Sequence, residues 1–253
     1  MEIDFSFLIL TVLVFLAGII DSISGGGGLI TIPAYMNWGL DIRYLLGTNK
    51  LSSSTGTFTA ALKYLNELRF PKNYLFKVFI SSFIFSSLGV IFVSSFHDHI
   101  LRIIIITILP ILSFYLLFNG KLEKNNSLDL PFEKLTKKTL VISSAISFYD
   151  GMLGPATGTF LAIFYSNFLG YDILKATALA KFTNLTSNIS ALISFIILGR
   201  VEFKVGIIMG IVSGFGNYLG SSFALKKGSS FIKPFLVIVS NAIILKIFID
   251  FIK

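Results

Sequence analysis

Long uncharged apolar runs alternate with short polar segments along this chain, and most of the runs are long enough to cross a bilayer. A helix needs about 20 residues to span about 30 Å of hydrocarbon. Four runs contain no Asp, Glu, Lys or Arg, and a fifth contains only three charged residues. These runs are 78–96, 103–120, 182–199, 205–225 and, with the three charges, 232–252. They predict five membrane helices.

A sixth helix is predicted over 51–62, where the chain is uncharged but short. This run becomes long enough to cross the membrane if its helix begins near Ile42, or if Lys63 extends its ammonium group towards the lipid headgroups.

Two further apolar stretches are interrupted by glycine, and each carries an aspartate at the interruption. The first runs over 5–20, meets Asp21 and four consecutive glycines, and resumes over 29–38. The second runs over 140–149, meets Asp150 and a glycine-containing turn, and resumes over 159–169. Because glycine disfavours helix so strongly, each stretch is predicted to be a broken membrane helix.

The two halves of the chain align with each other, so the interruptions are two copies of one element. The matches are Asp41 with Asp172, Lys50 with Lys181, Arg69 with Arg200 and Gly89 with Gly220 at a shift of 131, and Asp21 and Gly25 with Asp150 and Gly154 at a shift of 129. We therefore predict an all-α polytopic membrane protein with two homologous four-segment repeats. Each repeat has one glycine-broken helix and three further transmembrane helices. The first repeat covers 1–118, a lysine-rich linker 119–138, and the second repeat 139–253.

The repeats are parallel if the broken segment crosses the membrane, and inverted if it is re-entrant. Leaving aside Lys50, Lys181 and Lys246, a crossing segment puts 12 of the other 18 Lys and Arg on the linker's face, and a re-entrant one puts 13 there. Both counts predict a cytoplasmic linker in a bacterial-type inner (plasma) membrane. We favour the inverted form because 34 residues, 5–38, are long for one crossing.

The amino-acid composition excludes several classes of protein and of site chemistry. A content of 54% hydrophobic and 13% charged residues excludes an ordinary soluble domain. The absence of cysteine excludes disulfides, thiolate nucleophiles and cysteine-ligated metals. The net charge of +8 follows membrane orientation, so we predict no nucleic-acid partner. No metal site or cofactor is predicted, and neither glycine cluster has the form of a nucleotide-binding loop.

The glycine turns are the predicted substrate site. Irregular backbone at membrane depth must face protein or a water-filled cavity. Amides at the start of a half-helix favour an anion. The candidate turn residues are Gly25, Gly26, Gly27, Gly28, Gly154, Thr157, Gly158 and Thr159. The alternative is that the glycines only let helices pack closely.

Two equivalent lysines, Lys50 and Lys181, begin apolar helices and could complete the anion site, with Lys181 the stronger candidate because eighteen uncharged residues follow it. Asn49 and Asn184 are candidate amide donors beside them. The alternative is that the lysines reach the membrane surface, while neighbouring serines and threonines pack helices.

Asp21 and Asp150 have two interpretations. Buried carboxylates can bind and release protons near neutral pH, so they are candidates for ion coupling. Alternatively, each carboxylate caps a half-helix by accepting from turn amides, or pairs with Lys50 or Lys181.

These motifs resemble the TauE/SafE family of sulfite exporters, also called the probable membrane transporter protein family, over 5–252. The motifs are Asp21 with Gly25-Gly26-Gly27-Gly28-Leu29-Ile30-Thr31-Ile32-Pro33, then Gly47-Thr48-Asn49-Lys50, and Tyr149-Asp150-Gly151 with Gly154-Pro155 and Gly158-Thr159-Phe160. The resemblance implies a duplicated four-helix unit, which favours parallel repeats, and movement of sulfite, sulfoacetate or other small organic anions. Ala156 stands where the family commonly has glycine.

The sequence therefore predicts a secondary transporter of a small anion, most simply a sulfur-containing or organic anion such as sulfite or an organosulfonate. It would work by alternating access between the repeats, with a proton or sodium ion as coupling ion and membrane lipids as surroundings. An anion channel is the main alternative, and an intramembrane enzyme is a weaker one. The oligomeric state stays open.

Overall fold

The computed structural model describes residues 5–105, 107 and 132–228, which form helices joined by short turns. The helices are α1 (Phe5–Ser24), α2 (Gly28–Trp38), α3 (Ile42–Glu67), α4 (Lys72–Ser94), the described part of α5 (98–105), α6 (Phe132–Met152), α7 (Thr157–Leu169), α8 (Ile173–Ile197) and α9 (Phe203–Lys227). The chain is therefore all-helical over its described ranges, as predicted.

The predicted membrane helices largely coincide with these elements. By length and hydropathy alone, α1, α4 and α9 could span a membrane. Helices α3 and α8 are as long, with 26 and 25 residues, but carry many polar side chains. Helix α3 begins at Ile42, the start that makes this run long enough to cross. The predicted helix over 232–252, and most of the one over 103–120, lie outside the described residues.

Both glycine interruptions break the helix, although the boundaries differ from the apolar runs. Helix α1 continues past Asp21 to Ser24, and α6 begins at Phe132, within the range that the sequence assigns to the linker. The first turns of α6 are polar and lysine-rich, and such residues are compatible with a helix that extends beyond the hydrocarbon.

The junctions after α2 and α7 repeat the same local chemistry. Helix α2 ends at Gly39 with φ 95°, and α7 ends at Gly170 with φ 73°, both in the left-handed conformation that glycine tolerates. Asp41 and Asp172 then cap α3 and α8. Oδ1 of each accepts from the main-chain amide two residues further on at 2.9 Å.

Each broken segment folds back on itself as a hairpin. The rings of Phe7 and Trp38, at opposite ends of α1 and α2, have centroids 5.8 Å apart. In a straight helix these residues would lie about 45 Å apart. Likewise, the rings of Phe132 and Tyr171 at the ends of the α6 and α7 hairpin lie 6.4 Å apart. Both segments therefore return to the side from which they enter.

Helices from different halves of the chain interlock through glycine. A methyl group on Gly89 of α4 would overlap the carbonyl oxygen of Phe148 in α6. One on Gly220 of α9 would overlap the carbonyl oxygen of Ile19 in α1. Small residues permit this close approach where no hydrophobic effect drives helices together. Helix α1 thus packs on α9, and α4 packs on α6.

The outer surface of the bundle is rich in large apolar side chains, and many polar side chains are buried inside it beside the apolar core. Phe76 of α4 and Phe215 of α9 are each 64% exposed, whereas Ser82 and Asn217 on the same helices are at most 1% exposed. An apolar exterior around buried polar groups suits helices surrounded by lipid, so this is an integral membrane protein.

Candidate functional site

The two helix interruptions meet in the interior of the bundle. A methyl group on Gly158 would lie 2.7 Å from Cα of Gly25, and one on Gly28 would lie 3.1 Å from Cα of Pro155. The hydroxyl of Thr159 donates to the carbonyl of Ser24 at 2.7 Å, which joins the two turns directly. The interruptions therefore form one structure built from both halves of the chain.

Left-handed backbone makes both turns. Gly25 has φ 84° and Gly154 has φ 88°. Ala156 also lies in the left-handed region, with φ 62°, and is the only described non-glycine residue with a positive φ. A side chain in this conformation costs roughly 1–2 kcal/mol. A glycine, which the resemblance implies at this position, would avoid this cost, and this chain adopts the conformation with alanine.

Two ion pairs cross between the halves. Nζ of Lys50 lies 2.8 Å from Oδ1 of Asp150, and Nζ of Lys181 lies 3.2 Å from Oδ2 of Asp21. Both lysines are buried. Each lysine therefore neutralises the aspartate of the opposite half, and the four charged groups sum to zero.

Asp150 sits in a dense hydrogen-bond network. Its Oδ1 accepts from the hydroxyl of Thr157 at 2.7 Å, and its Oδ2 accepts from the hydroxyl of Ser187 at 2.6 Å. Lys50 also donates to Oδ1 of Asn188 at 2.8 Å. Such contacts satisfy charges that would otherwise be costly to bury.

A small polar cavity of about 20 Å³ lies at this junction. A space of this size holds about one water molecule, which is smaller than any multi-atom anion. Its lining residues are Asp21, Gly25, Gly28, Asn49, Lys50, Ser53, Thr57, Asp150, Gly154, Asn184 and Asn188. Within the described part of the chain, this position therefore holds a small, partly enclosed polar chamber.

Six of the twelve predicted substrate residues line the cavity, together with both candidate coupling aspartates. The six are Gly25, Gly28, Asn49, Lys50, Gly154 and Asn184. The other six, Gly26, Gly27, Thr157, Gly158, Thr159 and Lys181, lie off it. Most of these six have contacts inside the protein, because the two turns pack against each other.

The turn amides are partly used within the turns. The amide of Gly25 donates to the carbonyl of Asp21 at 2.7 Å, and that of Gly27 reaches Oδ1 of Asp21 at 3.4 Å. The amide of Thr157 donates to the carbonyl of Gly154 at 3.3 Å. These three amides therefore have acceptors within the turns, and their role towards a ligand stays a prediction.

The two lysines differ although the repeat makes them equivalent. Lys50 lines the cavity, whereas Lys181 lies outside its lining and binds both the main-chain carbonyl and the carboxylate of Asp21. The carboxylate partners differ as well, because the Asp150 side chain is 1% exposed and that of Asp21 is 16% exposed. Lys50 is therefore the cation that faces the chamber.

Three lining residues, Ser53, Thr57 and Asn188, were not among the selected candidates, although the sequence contains a signal for them. Ser53 and Thr57 lie three and seven residues after Lys50, and Asn184 and Asn188 have the same spacing after Lys181. Positions i, i+3 and i+7 share one face of a helix. A polar face repeated at one spacing in both halves therefore marks the chamber wall.

Comparison with known proteins gives a consistent result. A family model described as "Sulfite exporter TauE/SafE" matches residues 10–247. The chain is 36% identical over 244 residues to the probable membrane transporter protein ORF9 of Sinorhizobium sp, covering 95% of this chain and 92% of that protein. It is 35% identical over 250 residues to the probable membrane transporter protein YfcA of Escherichia coli (strain K12), covering 96% and 91%. No solved structure matches significantly.

Proposed function

The chain belongs to the TauE/SafE family of sulfite exporters, and from this premise we propose that it is a secondary transporter of a small sulfur-containing or organic anion, such as sulfite or an organosulfonate. The observation that carries the proposal is the ammonium group of Lys50 on a small polar chamber between two broken helices. The membrane in question is the bacterial inner membrane, with the linker in the cytoplasm.

The chamber offers the groups that a sulfonate or sulfite needs. Lys50 supplies a positive charge, and Ser53, Thr57, Asn184 and Asn188 supply hydroxyl and amide donors. Three electronegative oxygens around one sulfur can accept from several such donors at once. An opposite charge in a low-dielectric site offsets the cost of removing the anion from water.

Alternating access explains why the chamber is smaller than the proposed substrate. A space of about 20 Å³ cannot hold the substrate, so the site must widen towards one side of the membrane at a time. The two hairpins that meet at Gly25 and Gly158 are the elements whose movement would open it.

Inverted repeats are the second part of the proposal. The hairpins enter and return on one side. With the helices that the sequence predicts over 103–120 and 232–252, each half would then have three crossings, and an odd number turns the second half upside down. The equivalent glycine contacts of α4 on α6 and of α9 on α1 support this symmetry. Inversion also corresponds to the larger charge bias, with 13 Lys and Arg on the cytoplasmic face.

Single cysteines can test the orientation, because the chain contains none. In the inverted form, Gly39→Cys and Gly199→Cys lie outside the cell, whereas Glu67→Cys and Gly228→Cys lie in the cytoplasm. The three glycines are open positions, with nothing near an added side chain. A membrane-impermeant thiol reagent added to intact cells should label the first pair and label the second only after lysis. Labelling of Gly199→Cys only after lysis would contradict the inverted form.

Transport itself is tested with purified protein in liposomes. Liposomes loaded with unlabelled sulfite or methanesulfonate should take up the labelled anion against its concentration by exchange, at equal pH and zero membrane potential. Protein-free liposomes give the background. A steady anion conductance without such exchange would favour the channel, and neither exchange nor conductance with any anion tested would contradict the proposal.

A further inference from the structure

We propose that Asp150 couples transport to protons, by binding one proton when the anion takes its place beside Lys50. The inference rests on the proposed function and adds the identity of the coupling ion, the residue that carries it and the ratio of one proton to one monoanion. Asp21 is assigned a different role, as a fixed partner of Lys181.

Competition for one ammonium group is the first step of the argument. The Asp150 carboxylate lies 2.8 Å from Nζ of Lys50, and both residues line the chamber. An anion that binds Lys50 from the chamber must displace or share this contact. The Asp150 carboxylate and the substrate anion therefore compete for the ammonium group of Lys50.

Charge balance is the second step. The two ion pairs combine two formal positive charges, on Lys50 and Lys181, with two formal negative charges, on Asp150 and Asp21, and these sum to zero. A monoanion added alone leaves an unneutralised negative charge in a buried site, and such charges are costly. A proton taken up by Asp150 cancels the added charge. Lys50 then neutralises the anion rather than the carboxylate.

The two hydroxyl groups that donate to Asp150 each lie near a second acceptor, so the hydrogen-bond network can adjust when Asp150 gains a proton. The Ser187 hydroxyl also lies 3.1 Å from the carbonyl of Asn184, and the Thr157 hydroxyl lies 2.9 Å from that of Gly154. When Asp150 becomes a neutral acid, one of these hydroxyls can turn to its carbonyl and let the acid donate. No hydroxyl is left without an acceptor.

Lys50 also keeps a contact when Asp150 is neutral. Its ammonium donates to Oδ1 of Asn188 at 2.8 Å, and Asn188 is held by Asn184 at 3.3 Å. This amide contact orients the ammonium without adding charge. Lys50 is therefore positioned for the anion in both protonation states of Asp150.

Asp21 lacks this arrangement. Its partner Lys181 lies off the chamber and also binds the main-chain carbonyl of Asp21, where α1 approaches its end. That contact would persist if the carboxylate became neutral, because a carbonyl does not titrate. Lys181 thus holds the end of α1, and of this pair only Asp21 lines the chamber. Both members of the pair Lys50 and Asp150 line it.

The other titratable groups around Asp150 do not compete for this role within the described residues. Asp21 of α1 lies across the chamber, and Lys181 of α8 is bound to it. The hydroxyl of Tyr149, next to Asp150 in α6, donates to the carbonyl of Pro155 at 2.6 Å. Helix α4 faces Gly151 with the neutral Ser86.

The resulting step conserves charge and atoms. A proton from one aqueous side binds a carboxylate oxygen of Asp150, the ion pair with Lys50 separates, and the anion binds Lys50. On the other side the anion leaves first, the proton follows it to water, and the ion pair re-forms. Anion and proton move together and carry no net charge, so their two gradients set the direction of flux.

The test compares exchange with accumulation in Asp150→Asn. Liposomes at internal pH 7.5 are placed in pH 6.5 buffer, with the potential clamped at zero by valinomycin and equal potassium. A gradient of one pH unit corresponds to a tenfold concentration ratio for one proton per anion. Wild-type protein should therefore accumulate methanesulfonate, which does not titrate in this range, about tenfold. D150N should exchange the anion but reach a ratio of about one.

Asp98→Asn is the control, because it makes the same chemical change at an exposed residue paired with Arg43 and should accumulate the anion like wild type. Asp21→Asn is no control, since Asp21 lines the chamber, but it tests which aspartate carries the proton. It should reduce the amount of folded protein, and the ratio that the remaining protein reaches should still respond to the pH gradient because Asp150 is intact. Accumulation by D150N, its loss in D21N alone, or accumulation driven by sodium instead of protons would each overturn the proposal.

A second measurement uses only wild-type protein, so it tests the proposal even if D150N does not fold. Saturating methanesulfonate is added to wild-type protein in detergent and weak buffer, with a pH dye as reporter. About one proton taken up per anion bound supports the proposal, and none overturns it. Exchange of the anion at equal pH does not depend on a pH gradient. Exchange without pH-driven accumulation would therefore contradict proton coupling but not anion transport. No exchange of either sulfite or methanesulfonate would contradict the proposed function itself.

Discussion

Replacing Lys50 with glutamine is expected to lower anion exchange per folded molecule at least ~100-fold, and also to reduce the yield of folded protein because Asp150 stays buried without its partner. Lys50 is the one described cation that lines the chamber, and losing a buried charge partner costs about 3 kcal/mol of binding, or about 100-fold in affinity. Glutamine keeps a similar length and can still bond with Asn188 and Asp150. Labelled-anion exchange in liposomes, normalised to the amount of reconstituted protein, measures the effect.

The matched control is Lys181→Gln, the equivalent substitution in the other half. Lys181 holds the carbonyl and carboxylate of Asp21 off the chamber, so its loss should mainly reduce stability and yield. Exchange per folded molecule should fall much less than in K50Q. Normal exchange in K50Q, or a greater loss per molecule in K181Q, would transfer the substrate contact from Lys50 to Lys181.

Replacing Gly25 with alanine is expected to prevent assembly of the two broken helices. Gly25 has φ 84°, and an added methyl group would overlap the backbone of Gly158 and Thr159. The left-handed conformation costs about 1 kcal/mol for alanine, and overpacking against main chain adds about 3 kcal/mol. Thermal unfolding in detergent should show a midpoint at least ~10 °C below wild type, or no folded protein.

The variant Gly39→Ala separates the cost of the left-handed conformation from the cost of overlap with neighbouring backbone. Gly39 has the same left-handed conformation, with φ 95°, but nothing lies within 4 Å of the added methyl group. This variant should lose only about 1 kcal/mol, or about 3 °C in midpoint. Equal losses in the two variants would mean that the turns do not touch as described.

Hydropathy predicted the helices well because lipid exposure requires long apolar surfaces. It placed the ends less well. The sequence has no apolar signal at the start of α6 because 132–138 is polar and lysine-rich. Likewise, α1 continues through Asp21, where Lys181 of the other half compensates the charge. Helix ends that depend on polar partners elsewhere in the chain are not visible in local hydropathy.

The residue types of the candidate site were predictable, and pairing of the aspartates with the two lysines was one of the two interpretations, but the sequence did not say which lysine pairs with which aspartate. Glycine turns, Lys50 and the two aspartates stand out because each conflicts with its apolar surroundings. The repeat implies equal roles for Lys50 and Lys181, yet the structure places only Lys50 on the chamber. The repeat alignment fixes which residues are equivalent, whereas the contacts of each residue depend on how the halves pack, and small differences between the halves break the symmetry.

The exchange of helix partners between the halves has a consequence for biosynthesis. Helix α1 is made first, but the groove it fills on α9 does not exist until residue 203 and its successors have left the ribosome. Likewise, α4 cannot pack on α6 until residues 132–152 have been translated. Insertion into lipid and assembly of the bundle are therefore separate events, and neither half can finish folding while the other is still being translated.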